Sequence, residues 1–114
     1  MLSERELADH YRSRDALLAH PDIRSFVEWL ATKPRQPFFL NVGTTETHTP
    51  YPEPEPDRFP AENADHCVPP RPFPDTPELR QMAAGFKRSA RQMDDAFGAI
   101  LTTLAETGQD ANTY

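Results

Sequence analysis

The sequence predicts an α/β fold in the order helix–helix–strand–long loop–long helix, and two periodicities and one composition shift predict it. The run Phe38-Phe39-Leu40-Asn41-Val42 is short and apolar, which predicts a core strand over 37–44 covered on both faces. Leu79, Met82, Phe86, Ala90, Met93, Phe97, Ile100 or Leu101, and Leu104 recur at steps of three and four, which predicts a long helix over 76–107. Between them, 50–75 is a proline-rich loop in which no periodicity survives. One strand makes no sheet, and its backbone donors and acceptors need partners. The fold expected is therefore a partial α/β domain.

Residues 1–33 are expected to be helical. Ser3 followed by Glu6 fits a capping box that opens a helix through about His20, with Leu7, Tyr11 and Leu17-Leu18 as a thin apolar stripe. Pro21-Asp22 restarts the chain with Asp22 as N-cap, and Ile23, Phe26, Val27 and Leu30 repeat at helical spacing to about Thr32. Trp29 lies off that stripe and is expected to rest on a neighbouring element. Lys33-Pro34-Arg35-Gln36 connects to the strand, and helix, short connection and strand form half of a right-handed crossover. The Pro-Glu alternation of 51–56 favours extended, polyproline-like backbone. Asp75-Thr76-Pro77-Glu78 starts the long helix with a cap followed by proline in the first turn. Gly108 is its C-cap, and the tail from Gln109 to Tyr114 stops where another buried strand is expected to begin. The apolar face of the long helix is expected to be core that faces a sheet.

The chain has 114 residues, enough for one ordinary domain. Hydrophobic residues make up 37%, and the shortfall is local, because most of the 13 prolines fall between Pro50 and Pro77. A net charge of -6 argues against a nucleic-acid partner, which calls for a basic stripe. Cys67 is the single cysteine, so no internal disulfide forms. No apolar run approaches the ~18 residues that span a bilayer, and Met1–Glu6 lacks the apolar core of a signal peptide. A complete protein with this N-terminus is expected to be cytoplasmic by default; a fragment leaves the compartment open.

His48 is the candidate with a working position. It follows the predicted strand at the carboxyl end, where open α/β sheets bind their ligands. The same residue also reads as a loop histidine bonded to a nearby carbonyl. His10 and His20 read as solvated. His66 lies beside Asp65 and Cys67, but adjacent residues do not all converge on one tetrahedral metal centre. Glu53, Glu55 and Asp57 read as solubilising charge.

Four segments, taken in order, then carry a resemblance: Pro-Phe-Phe-Leu-Asn-Val at 37–42, Glu-Thr-His-Thr-Pro-Tyr at 46–51, Phe-Pro-Asp-Thr-Pro-Glu-Leu-Arg at 73–80 and Met-Asp-Asp-Ala-Phe-Gly-Ala-Ile-Leu-Thr-Thr-Leu at 93–104, closing on Asn112-Thr113. Over residues 22 to 114 the chain resembles the sulfatases of the alkaline-phosphatase superfamily. The resemblance implies an α/β sandwich with a mostly parallel central sheet, of which this chain is an internal piece, and hydrolysis of sulfate esters on a sulfated small molecule or glycan. His48, in a His-x-Pro setting, matches the family histidine that reaches the sulfate and helps the leaving oxygen depart. A sulfate ester needs donors around its oxygens and a proton for the departing alkoxide. Asp94 and Gly98 match the family pattern and read as structural, with Gly98 permitting close packing.

The resemblance also implies Ca²⁺ and a formylglycine nucleophile for the full family domain, yet their motifs do not occur here at their proper places. The family makes formylglycine from Cys in a Cys-x-Pro/Ala-Ser-x-Arg segment that precedes the histidine, takes its metal ligands from an Asp-Asp pair and an Asp-His/Asn-Gly segment, and adds sulfate contacts from Gly-Lys-x-His. Cys67-Val68-Pro69-Pro70-Arg71 fits a loose Cys-x-Pro-x-Arg pattern, but it follows His48 and lacks the serine. Cys67 is expected to be a free, inert loop thiol. The chain is expected to be inactive in isolation. Two other readings stand beside this one: a phosphoesterase of the same superfamily, and a non-catalytic interaction module using an exposed strand and the proline-rich loop.

Overall fold

A computed structural model describes residues 21–114. The expected helix through His20, with the readings of Ser3, Glu6, His10 and His20, lies outside the described residues. Among the described residues there are two α-helices, α1 (Pro21–Ala31) and α2 (Pro77–Glu106), and 3-10 turns at Ala64–His66 and Asp110–Asn112. They contain no strand, which corrects the α/β expectation.

The reason lies in the 37–44 segment. Phe38, Leu40 and Val42 are partly buried against the helical core, whereas Phe39 between them is 91% exposed. A strand covered on both faces buries consecutive side chains. Here the covering is on one face only, with the period of two that extended backbone imposes. The one isolated bridge joins Glu55 to Phe59, so no described backbone pairs with 37–44. An extended segment without a neighbour is not a sheet.

The described residues divide into two compact units, with the boundary inside α2 between Asp94 and Asp95. One unit holds 21–44 and 95–114. Ile23, Val27 and Leu30 lie at helical spacing on one side of α1 and bury against Ala96, Ala99, Ile100 and Leu104 of α2. The two alanines keep that contact close. Each fully buried large side chain contributes about 1.5–3 kcal/mol. Trp29 rests edge-on against Phe38, with ring centroids 5.0 Å apart. Asp22, read as the N-cap, falls inside the helix. At the other end Lys33, in the left-handed region at φ 53°, bonds back to the Leu30 carbonyl, and Pro34 bars continuation.

Gly108 (φ 69°) ends α2 by the paired bonds of a Schellman motif, Gln109 N–H to Leu104 O at 2.8 Å and Gly108 N–H to Ala105 O at 3.1 Å. That turn brings in the buried Gln109 side chain, whose Nε2 donates to Leu30 O at 3.0 Å and Thr107 Oγ1 at 2.6 Å. A 3-10 turn follows at Asp110–Asn112.

The other unit runs from Thr45 to Asp94. Thr76 caps α2, its Oγ1 accepting from Leu79 N–H at 3.3 Å with Pro77 in the first turn. Arg80 grips both Asp75 oxygens and donates to Asp65 O at 2.6 Å. Phe59 and Cys67 are buried in this unit.

The buried face of α2 coincides only in part with the face the apolar spacing indicates. Ile100 and Leu104 of that series are buried, together with Ala84, Ser89, Gln92, Ala96, Ala99 and Thr103, while Met82, Phe86, Phe97 and Leu101 are exposed. Among the described residues no sheet receives those exposed side chains. Gly98 permits no close packing either, since a Cβ there would meet nothing within 4 Å. None of the described helices is long and apolar enough to cross a membrane.

Two substitutions separate the two sides of this packing. Leu30→Ala, at a fully buried site, is expected to cost about 2–5 kcal/mol. Phe39→Ser, next to core-packed neighbours but exposed, is expected to stay within about 0.5 kcal/mol of the parent. Denaturant melts of both variants check the pair; equal losses would mean that 37–44 is covered on both faces after all.

Candidate functional site

The segment Thr45-Glu46-Thr47-His48-Thr49-Pro50 is short, polar and closed by proline, so it turns rather than extends. The His48 N–H donates to Thr45 O at 2.9 Å, closing the turn. The imidazole is exposed, and its Nδ1 lies 2.6 Å from Thr49 O. A carbonyl only accepts, so Nδ1 carries the hydrogen and Nε2 is the nitrogen left to meet a ligand. Of the two readings of His48 from sequence, the bond to a nearby carbonyl is observed. It does not oppose the functional reading, because it fixes which nitrogen faces outward.

The loop after His48 is fastened to α2. Tyr51 lies on Gly85 so closely that a Cβ at Gly85 would stand 2.8 Å from Tyr51 Cδ2, and its ring meets Phe86 edge-on with centroids 6.2 Å apart. The buried Arg88 donates to Pro52 O from Nε at 3.0 Å and from Nη2 at 2.6 Å. Further along, Glu62 accepts from Lys87 at 3.1 Å and from Arg91. The bond from Lys87, aided by Arg91, holds the Glu62 carboxyl below its usual range against a smaller opposing effect of burial. Arg80 lowers Asp75 in the same way. The proline-rich stretch therefore lies fixed along the first half of α2.

Sequence reading named neither Gly85 nor Arg88 as a support. The only signal was a glycine inside a helix, which costs about 1 kcal/mol relative to alanine, and it does not by itself tell Gly85, which Tyr51 covers, from the open Gly98. Cys67 is free and buried, with its Sγ 3.3 Å from Asn63 O, where the thiol donates to that carbonyl. His66 and Asp65 lie exposed in a 3-10 turn capped by Asn63. Among the described residues no three His, Cys, Asp or Glu side chains gather in a way that holds a metal ion. The described residues thus fit neither the Ca²⁺ nor the formylglycine that the family resemblance implies: the acidic donors do not converge, and the one thiol is turned into the protein. The arrangement offers a single oriented imidazole, able to bond an oxyanion and deliver a proton, with no nucleophile set against it.

Gly85→Ala is expected to release the loop, because the added methyl displaces the Tyr51 ring despite the ~1 kcal/mol gain in helix propensity. Nuclear Overhauser contacts between Tyr51 and Phe86 should vanish while the helical circular dichroism persists; retained contacts would refute the anchor. Glu62→Gln is expected to cost about 1 kcal/mol at neutral pH for two partly exposed ion pairs. A carboxyl lowered in the folded state stabilises above its unfolded value of about 4.3, and that contribution is lost as pH falls through the lower folded value. Melts of parent and variant should therefore differ at pH 7 and converge in acid.

Comparison with known proteins places this arrangement in a family. No curated protein and no solved structure matches the chain. The family model described as Sulfatase matches residues 11–114, which takes in the 37–44 segment, the His48 turn, the anchored loop and the whole of α2. With that match covering nearly the entire sequence, the chain belongs to the sulfatase family.

Proposed function

We propose that this chain contributes the sulfate-contacting histidine of a sulfate ester hydrolase, with His48 as donor to a sulfate oxygen and to the departing alkoxide. The observation that carries the reading is the Nδ1–H bond to Thr49 O, which presents Nε2 outward on a loop fastened to α2. Family membership supports the substrate class.

Hydrolysis of a sulfate ester breaks a bond between sulfur and the ester oxygen, and the alkoxide that leaves needs a proton. Nε2–H of a charged imidazole supplies a hydrogen bond to that oxygen first and the proton afterwards. Holding the ring by Nδ1 reduces the orientational freedom lost on binding. The attacking group has to come from elsewhere, since the buried Cys67 thiol does not present itself. The isolated 114-residue chain is thus a binder of sulfate monoesters and not a turnover catalyst.

The measurement is a titration of the chain with methyl sulfate, followed through the His48 ring resonances, with methyl phosphate as a parallel arm. Saturable shifts are expected with methyl sulfate. His48→Ala should reduce affinity about tenfold, the loss of one charge-assisted hydrogen bond. Unmoved His48 resonances would refute the assignment, and a response to methyl phosphate alone would make the site a phosphoester one.

A further inference from the structure

Four cations of α2 hold the proline-rich stretch, and Arg88 differs from the other three. Arg80 pairs with Asp75, and Lys87 and Arg91 pair with Glu62. Arg88 alone of the four is buried, and among the described residues it meets no carboxylate. Its two bonds go to a single backbone oxygen, Pro52 O, from Nε at 3.0 Å and from Nη2 at 2.6 Å. Burying a cation is costly, and a well-packed apolar side chain often serves stability as well or better. What the guanidinium adds is a fixed position for one carbonyl.

That carbonyl stands three residues from Thr49 O, the acceptor that holds His48 Nδ1. The backbone between them is stiff. Pro50 and Pro52 have φ fixed by their rings, and Thr49 and Tyr51 each precede a proline, which narrows their backbone as well. The Tyr51 ring is seated on Gly85. A shift at Pro52 is therefore not absorbed along the way but passed on to Thr49. His48, Thr49, Tyr51, Pro52, Gly85 and Arg88 all belong to the unit from Thr45 to Asp94.

We propose that Arg88 is a positioning residue for His48. By holding Pro52 O it sets the Thr49 carbonyl, and that carbonyl keeps the imidazole in one orientation. This role rests on the reading of His48 as the sulfate contact, and it adds a residue that acts only through another. A contact of 2.6 Å from Nδ1 to the next residue's carbonyl keeps the side chain in one χ1 well, whereas a free side chain samples three. With only that well competent to bind, a ring released to all three binds about threefold more weakly.

The test reads the three-bond couplings about χ1 of His48 in the full 114-residue chain without ligand, and then the methyl sulfate titration. The parent couplings should be those of one well. Arg88→Met keeps an unbranched apolar chain and removes the donors. It should average the couplings and weaken methyl sulfate about threefold, while the helical circular dichroism is unchanged. Averaged couplings in the parent overturn the proposal. So do unaveraged couplings in a helical Arg88→Met chain, or an unchanged affinity. Where Arg88→Met loses its helix, Pro52→Ala decides instead. That variant leaves Arg88 in place and frees φ at position 52, so a single well retained there overturns the proposal equally. The couplings need no ligand. A parent that fails to bind methyl sulfate therefore refutes the sulfate reading, and the couplings still decide the role of Arg88.

Discussion

Small side chains along α2 set how closely anything else approaches it, and the described structure rests on those approaches. In one unit Ala96 and Ala99 admit α1, so that Ile23, Val27 and Leu30 reach Ile100 and Leu104. In the other, Gly85 admits the Tyr51 ring to a distance that any larger residue would forbid. A glycine inside a helix costs about 1 kcal/mol relative to alanine, and at Gly85, unlike the open Gly98, a neighbouring ring takes up the space. The small residues help decide which side of α2 is inside, and Met82, Phe86, Phe97 and Leu101 are left outside.

The ends of α2 were readable because their determinants are local. Thr76 with Pro77 specifies a start, and Gly108 specifies a stop, each through bonds that span only a few residues. The spacing of Ile23, Val27 and Leu30 likewise gave the buried side of α1 directly. The strand failed for the opposite reason. An apolar run states that side chains avoid water, but whether both faces are covered depends on backbone from elsewhere, and for Phe39 none arrives. The inward side of α2 was legible only in part on the same ground: periodicity identified a stripe, of which Ile100 and Leu104 are buried, but not the partner that would bury the rest.

At the candidate site, order along the chain was more informative than local physics. The sequence placed His48 in a His-x-Pro setting and the ordered segments resembled sulfatases, in agreement with the family match over 11–114. The supports of His48 were hidden because they are long-range. Arg88 and Pro52 are 36 residues apart, and the proline-rich spacing between them gives no hint of the bond. The stretch that composition marked as solvated is tied down by Arg80, Lys87, Arg88 and Arg91, four cations that helical charge patterning alone reads as an exposed face. Fixing a loop in this way lowers the entropy a ligand must remove when it binds beside it.

The hydrogen bond from Gln109 to the Leu30 carbonyl spans 79 residues and belongs to a unit made from the two ends of the described chain. That separation governs the order of assembly. The loop it closes carries an entropic cost that grows with the logarithm of its length, and it must form before the contacts across it return anything. The contacts within 45–94 close over shorter separations, 36 residues between Arg88 and Pro52 and 29 between Arg91 and Glu62. As the chain leaves the ribosome, Phe38, Leu40 and Val42 follow α1 soon, but among the described residues the rest of its core, Ala96 to Leu104, follows much later. Throughout that interval Ile23, Val27 and Leu30 remain open to other apolar surfaces, so the arrival of Ala96 to Leu104 decides whether the first described helix finds its own partner or another's.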